Sequence, residues 1–158
     1  MSEKVRAALF DVCGSPQGMA VLDAYAGSGA IGFEAASRGA ALVEAIEANA
    51  QVAQTISQNA GSLGLDWGYV LHRMTVATWL ASPHQNPPGP RYNLIIADPP
   101  YAKMDPDILE RLGPFLIPDG VLVVSHGSKR ASPMLKSLEL VSAKTYGDTS
   151  LSFYKHKS

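Results

Sequence analysis

The chain has one cysteine, Cys13, in 158 residues. No intrachain disulfide can form, and with no Cys or His nearby in sequence Cys13 reads as a small core residue. The four histidines are scattered, so no Cys/His cluster suggests a metal site. Apolar runs are short: none reaches the roughly 18 to 20 residues of a membrane span. Glu3, Lys4 and Arg6 break up the opening apolar positions, which argues against a signal-peptide core and for a cytoplasmic protein. Charge of one sign is missing too. Thirteen Lys and Arg face fourteen Asp and Glu, a net charge of −1, so there is no basic excess of the kind that phosphate-binding proteins usually carry. Internal repeats and domain boundaries are absent as well. With 46% apolar and 17% charged residues, residues 1–158 read as a single globular domain that works as a monomer.

What is present is a series of alternating helical and strand signals. Val5, Ala8, Leu9 and Val12 fall at i, i+3, i+4 and i+7, with Ser2 able to cap the helix and Glu3 in its first turn. The apolar run from Ala20 to Tyr25 is a first strand. A helix from Ala30 to Arg38 stops at Gly39, and Leu42 to Glu47 is a second strand. Asn49 caps a helix whose stripe is Val52, Ile56, Ala60 and Leu63. Tyr69 to Met74 is a weaker third strand, followed by a helical turn over Val76 to Leu80. Pro83 to Pro90, with four prolines and a glycine, reads as a surface loop. Tyr92 to Asp98 is a fourth strand. Asp105 and Pro106 open a helix with Ile108, Leu109 and Leu112 inward, ended by Gly113-Pro114, and Val121 to Val124 is a fifth strand. Leu138 to Tyr146 and Thr149 to Lys157 form a hairpin about Gly147-Asp148. Successive βα units followed by a hairpin predict an α/β fold: a mostly parallel sheet, helices on both faces, and one reversed strand.

Two stretches carry chemistry. Ala20 to Gly32 reads Ala-Val-Leu-Asp-Ala-Tyr-Ala-Gly-Ser-Gly-Ala-Ile-Gly, in which Gly27, Gly29 and Gly32 allow a tight turn and close approach to a ligand. Their G-x-G-x-x-G spacing matches a dinucleotide loop, with Glu47 twenty residues after Gly27 where a ribose-binding acid falls. Asp23, Glu47 and Asp98 all lie at or near the carboxyl ends of strands, where open parallel sheets bind ligands, and three acids there favour a cationic or polyhydroxylated ligand over a pyrophosphate. The second stretch is Asp98-Pro99-Pro100-Tyr101. Two prolines remove two N–H donors and stiffen the backbone, leaving the carboxylate and the following carbonyl as fixed acceptors beside an aromatic ring. Such a site suits an exocyclic amine on a flat base stacked on the ring. Two basic groups remain unassigned, Lys129, Arg130 and Lys136, and Lys155, His156 and Lys157; each also reads as a solvated loop or tail.

With Glu34-Ala-Ala-Ser-Arg-Gly-Ala, Glu47, Asn59 and the opening Val5-Arg6-Ala-Ala-Leu9-Phe10, these motifs resemble the bacterial RsmD-type methyltransferases over nearly the whole chain. Members of that family transfer a methyl group from S-adenosylmethionine to N2 of a guanine in 16S, small-subunit ribosomal RNA. The resemblance implies the Rossmann-like, seven-stranded class I S-adenosylmethionine-dependent methyltransferase fold. It places Asp23, Tyr25, Ala26, Gly27, Ser28 and Gly29 on the methionine side of the cofactor, Glu47 with Ala48 at the ribose, and Thr75-Val76 beside the adenine. Asp98, Pro99, Pro100 and Tyr101 become the catalytic box, with Asp98 also touching the cofactor, and Arg6 and Tyr101 face the substrate. Three departures stand out: the basic stretch that usually precedes the first helix is not in this sequence, Thr75 stands where the family has Asp or Asn, and Ser125-His126 replaces an acid. The implied partner is ribosomal RNA within an assembled or assembling subunit.

Other readings use the same residues. An acid-Pro-Pro-Tyr box also serves adenine N6 or a protein glutamine, and a ribosome-assembly module could keep the fold without catalysis. A nicotinamide-dependent oxidoreductase fits the glycine loop but leaves Asp98 to Tyr101 unexplained. Without a base of evident role, His126 is read as a strand-end surface histidine or a proton acceptor and assigned no function. On this reading Tyr101→Phe is nearly harmless, because the ring face does the work.

Overall fold

The computed structural model describes residues 1–65 and 67–158. Five helices alternate with seven strands: α1 (Glu3–Cys13), β1 (Ala20–Asp23), α2 (Ala30–Ser37), β2 (Leu42–Ile46), α3 (Ala50–Ser62), β3 (Tyr69–His72), α4 (Val76–Ala81), β4 (Tyr92–Ala97), α5 (Pro106–Leu112), β5 (Leu116–Gly127), β6 (Leu138–Tyr146) and β7 (Thr149–His156). The strands form one sheet in the order β3-β2-β1-β4-β5-β7-β6. Strands β3 through β5 run parallel, and β7 is antiparallel to both neighbours. The seven-stranded, mostly parallel sheet with a C-terminal antiparallel hairpin is the architecture the sequence predicts.

Helix starts follow their capping residues. Ser2 accepts from the Val5 N–H at 3.2 Å, Asn49 from Gln51 and Val52, and Asp105 from Asp107. Each satisfies donors that the first turn leaves orphaned, a contribution of about 1 kcal/mol apiece. One face of the sheet packs Leu22, Tyr92, Ile95, Leu122 and Tyr154 against Trp79 of α4 and Leu109 and Leu112 of α5. The other packs Val21, Val43, Ile96 and Phe153 against Val5, Leu9 and Phe10 of α1 and Ile31 of α2. The central strands are therefore buried on both sides, which is why Ala20 to Leu22 and Leu94 to Ala97 read as apolar runs.

Several boundaries differ from expectation. Val12 and Leu63, read as stripe residues of α1 and α3, are exposed, and Phe10 and Ala53 are buried instead. The proline-rich segment holds a 3₁₀ turn over Pro83–Gln85 and buries Gln85. Strand β5 is longer than Val121 to Val124 because it pairs with β4 through Tyr92 and Leu116 and then skips to Leu94 and Val121. At that irregularity a Cβ on Gly120 would crowd Ile117 O at 3.0 Å and Leu116 Cδ2 at 2.9 Å, so glycine suits the point where the strand resumes. Strand β3 is held to the sheet by a half-buried polar link with no local sequence signature. Glu44 Oε2 accepts from the Tyr92 hydroxyl at 2.9 Å and lies 3.0 Å from His72 Nε2. The His72 contact, followed by that of Tyr92, holds the Glu44 carboxyl below the usual range.

Candidate active site

The chain runs β1, β2, β3 outward in one direction and then returns to place β4 on the other side of β1. Loops leaving β1 and β4 diverge at that switch point and open a crevice beyond the carboxyl ends of the strands. A cavity of about 610 Å³ occupies it. The structure brings Tyr25, Gly27, Glu47, Ala48, Thr75, Val76, Asp98, Pro99, Pro100 and Tyr101 to its wall. Ala24 of the glycine-loop motif joins them, as do Met1, Ile46, Met74 and Lys103, residues that no motif had singled out.

The glycine loop is shaped from both ends. Gly29 has φ 84°, and a Cβ there would meet the Phe33 ring at 2.8 Å, so a side chain is excluded by conformation and by space. Its N–H donates to Ala26 O at 2.9 Å, closing the turn into α2. Glu47, one residue past β2, receives the Gly27 N–H on Oε1 at 2.8 Å and the Asn49 N–H on Oε2 at 2.8 Å. Each carboxylate oxygen keeps a further acceptor site, because an ionised carboxylate offers about four in all.

Asp23, expected to line the site, lies beneath it. Its side chain is 0% exposed, and neither oxygen has a hydrogen-bond partner of good geometry. Burial pushes its pKa up to about 7, helped first by the charge of Asp98 and then by that of Glu47, against the Gly32 and Tyr25 backbone amides, which lower it. The charges of Asp98 and Glu47 acting on Asp23 mark a region of negative potential, one that a cation entering the cavity would relieve. Ala26 is buried in the loop, and neither it nor Ser28 nor Gly29 forms part of the cavity wall.

Across the cavity, β4 ends at Ala97 and delivers Asp98 to the rim, where Oδ2 lies 3.3 Å from the Met1 amine nitrogen. After the two prolines the chain enters a 3₁₀ turn over Tyr101–Lys103, closed by the Lys103 N–H on Pro100 O at 2.8 Å. That turn swings Lys103 back into the wall two residues after the ring, a placement that no spacing rule for helix or strand reveals. The Tyr101 hydroxyl reaches Ser125 Oγ at 3.2 Å and Thr149 Oγ1 at 3.4 Å.

The remaining expected residues are placed as follows. Thr75 sits on the wall, but its hydroxyl caps α4 by accepting from the Thr78 N–H at 3.0 Å. Arg6 lies on α1 outside the cavity wall, with its Nε buried and without a partner. His126 is no surface histidine. It is 2% exposed and bonds to Ser152 Oγ at 2.7 Å, and Ser152 in turn donates to Ser132. Among the described residues no His, Cys, Asp and Glu group is arranged to hold a metal.

Residues 1–155 match the family model described as conserved hypothetical protein 95. A Bacillus subtilis (strain 168) protein named "Putative rRNA methyltransferase YlbH" is 28% identical over 161 residues, covering 99% of this chain and 86% of that protein. The solved structure of "Putative methyltransferase yhhF" from Escherichia coli superposes with a TM-score of 0.87 at 24% identity, over 99% of this chain and 88% of that one. SMU.776, a methyltransferase by its description and complexed with SAH, superposes with a TM-score of 0.74 at 16% identity, over 96% of this chain and 48% of its own. The chain thus has the class I methyltransferase fold and belongs to the conserved hypothetical protein 95 family, the RsmD-type family.

Proposed function

We propose that this protein is an S-adenosylmethionine-dependent rRNA methyltransferase, and that its acceptor is the exocyclic N2 of a guanine in small-subunit ribosomal RNA. One observation carries the reading: an acid-rimmed cavity and a proline-stiffened Asp98 to Tyr101 box meet at the switch point of the sheet. The negative potential that raises Asp23 favours a sulfonium cation and opposes a dinucleotide pyrophosphate. The YlbH relative bears an rRNA methyltransferase name, and a solved protein of the same fold holds SAH, the demethylated cofactor.

The residues fit the cofactor. Glu47, with both oxygens held by backbone amides, presents its remaining acceptor sites to the two ribose hydroxyls. Ile46, Met74 and Val76 give an apolar wall for the adenine, with Thr75 beside it. Tyr25 and Gly27 border the methionine end, above the buried Asp23. When bound, S-adenosylmethionine supplies an electrophilic methyl group poised for in-line displacement. The acceptor is a weak nucleophile because its lone pair is delocalised into the ring. Asp98 accepts one amine hydrogen and the backbone carbonyl beyond it another, which favours a pyramidal nitrogen with its lone pair aimed at the methyl. Tyr101 stacks on the base and fixes its plane. The new N–C bond forms as the S–C bond breaks, and the nitrogen then loses a proton to solvent, so positioning rather than a strong base provides most of the acceleration.

The natural partner is ribosomal RNA in an assembled or assembling subunit in the cytoplasm, met by a monomeric protein whose catalytic box comprises Asp98, Pro99, Pro100 and Tyr101. Incubation of unmodified small ribosomal subunits with isotopically labelled S-adenosylmethionine, then nucleoside mass spectrometry, tests it. Label in N2-methylguanosine is expected. Label in N6-methyladenosine or in a ribosomal-protein glutamine would overturn the guanine assignment. Cofactor binding without any label would leave a non-catalytic module.

A further inference from the structure

Of the two basic groups in the sequence, the fold sends one to each end of the sheet. Lys155, His156 and Lys157 lie at the end remote from the cavity, where His156 Nε2 contacts Leu116 O and all three border a recess with Pro118 and Asp119. Lys136 is drawn away from its neighbours in sequence toward α5, where Glu110 accepts from its backbone amide and from Ser137. Lys129 and Arg130 instead follow β5 directly, at the carboxyl end of the strands, on the same rim as Tyr101.

Their position beside the ring is close. A Cβ built on Gly127 would lie 3.8 Å from Tyr101 Cδ2, and Lys129 and Arg130 stand two and three residues beyond it. Two backbone hydrogen bonds order the turn that holds them. The Arg130 N–H closes it on Gly127 O at 3.0 Å, and the Ser128 N–H ties it to Asp148 O in the β6–β7 turn at 2.9 Å. Downstream, Ser152 donates to Ser132 Oγ, and the Tyr154 hydroxyl donates to Pro133 O. Both cationic side chains are exposed, and among the described residues neither they nor Lys103 are engaged in an ion pair with a carboxylate. The carboxylates at the cavity, Glu47 after β2 and Asp98 after β4, thus give way beyond the tyrosine to cations that no carboxylate pairs.

We infer that Lys129 and Arg130, with Lys103, form a phosphate-binding rim that holds the backbone of a single-stranded nucleic acid while the target base enters over Tyr101. Unpaired, exposed cations on a pre-ordered turn release counterions when a phosphate docks, and they do so without losing an internal ion pair. Single strands are bound by this combination of a cationic track and an aromatic platform. It also accounts for nucleic-acid binding by a chain whose net charge is −1, since the local field at the rim matters rather than the sum. The inference rests on the methyltransferase reading for which base enters, but not for the rim itself.

The test is fluorescence anisotropy with a labelled single-stranded RNA of roughly 20 nucleotides, read between about 50 and 200 mM potassium chloride. The parent is compared with the double variants Lys129→Ala/Arg130→Ala and Lys129→Glu/Arg130→Glu, and SAH binding is measured on each by calorimetry. Affinity at low salt should fall at least ~10-fold in the charge-reversed protein, and two lost phosphate contacts should flatten the log–log salt slope by about 1.4. SAH affinity should stay unchanged. RNA binding and slope equal to the parent's, or a parent with no measurable RNA binding at low salt, would overturn the rim. So would loss of SAH binding in both double variants, which would make the turn a structural support of the cofactor site. If the parent binds RNA through this pair yet binds no SAH, the rim stands and the methyltransferase reading is what fails.

Discussion

The Tyr101 hydroxyl lies 3.2 Å from Ser125 Oγ, so the ring that caps the cavity is tethered to the end of β5. A phenol has one proton, and it is directed to Thr149 Oγ1, which leaves the Ser125 hydroxyl to donate. Ser125 is fully buried and without Tyr101 would lose this partner. Tyr101→Phe is therefore expected to be costlier than the ring-face view implies. Two neutral hydrogen bonds at about 1 kcal/mol each, partly offset by water, predict a 3- to 10-fold drop in methylation, seen mainly in KM. Tyr101→Ala should lose a further 1 to 3 kcal/mol of stacking, an order-of-magnitude figure for base–aromatic contacts. Steady-state kinetics on both variants check this, and a Phe variant equal to the parent would show that the tether does not position the ring.

Glu47 has a structural task as well as its proposed ligand role, and the two separate experimentally. Glu47→Ala removes the acceptor for the Gly27 and Asn49 amides, so thermal stability should fall along with cofactor affinity. Hydrogen bonds to a charged group contribute roughly 1.5 to 3 kcal/mol, which sets the expected loss in SAH affinity at about 10- to 150-fold. Glu47→Gln retains one good acceptor oxygen and should recover part of the stability but little of the ribose binding. A folded Glu47→Ala protein that binds SAH as the parent does would place the ribose elsewhere.

How far such roles were readable beforehand depended on range. Caps at Ser2, Asn49 and Asp105 act within three residues, and they located helix starts to within one position. The loop from Asp23 to Gly29 and the Asp98 to Tyr101 box were legible because glycine and proline constrain backbone chemistry locally. The rest required packing. Whether Val12 or Phe10 is buried in α1 depends on where the sheet meets the helix, which periodicity alone leaves free by about a residue either way. Glu44 finds His72 and Tyr92 across 28 and 48 residues, and Ser152 buries His126 across 26. Such partners have no local signature. Ile46 at the end of β2 and Met74 between β3 and α4 reach the cavity through the placement of those elements, and the Lys103 turn is closed by the Pro100 carbonyl.

Asp23 gives a pH dependence whose sign follows from burial. Its ordinary pKa is 3.8 and its folded value is about 7, so between those values the native state holds a proton that the unfolded chain has released. By linkage, stability falls as pH rises through that window. Asp23→Asn keeps the shape and removes the titration. The variant should match the parent near pH 3 and melt higher at pH 8, by roughly 8 to 16 °C for the ~4 kcal/mol that about three pKa units carry in a domain this large. Differential scanning fluorimetry across that range decides it, and a constant difference in melting temperature would show that the carboxyl does not titrate there.

Asp98 is the residue on which the proposed chemistry depends most directly. It follows the last residue of β4 at the rim, ahead of a backbone that two prolines stiffen, and it lines the cavity. If it orients the acceptor amine, its loss removes a preorganised polar group at the reacting centre, an effect on the order of 100-fold or more in turnover. Asp98→Ala should therefore be nearly inactive on small ribosomal subunits while binding SAH within a few fold of the parent. Asp98→Asn is the sharper probe: it keeps an acceptor oxygen in place but adds a donor and removes the charge, so it should recover little activity. Removing that charge should also lower the Asp23 pKa, because Asp98 is the leading electrostatic contributor to its elevation, and the stability window described above should move to lower pH. A variant that methylates normally, or one whose whole defect lies in SAH binding, would reduce the box to a turn and place the acceptor amine against other groups.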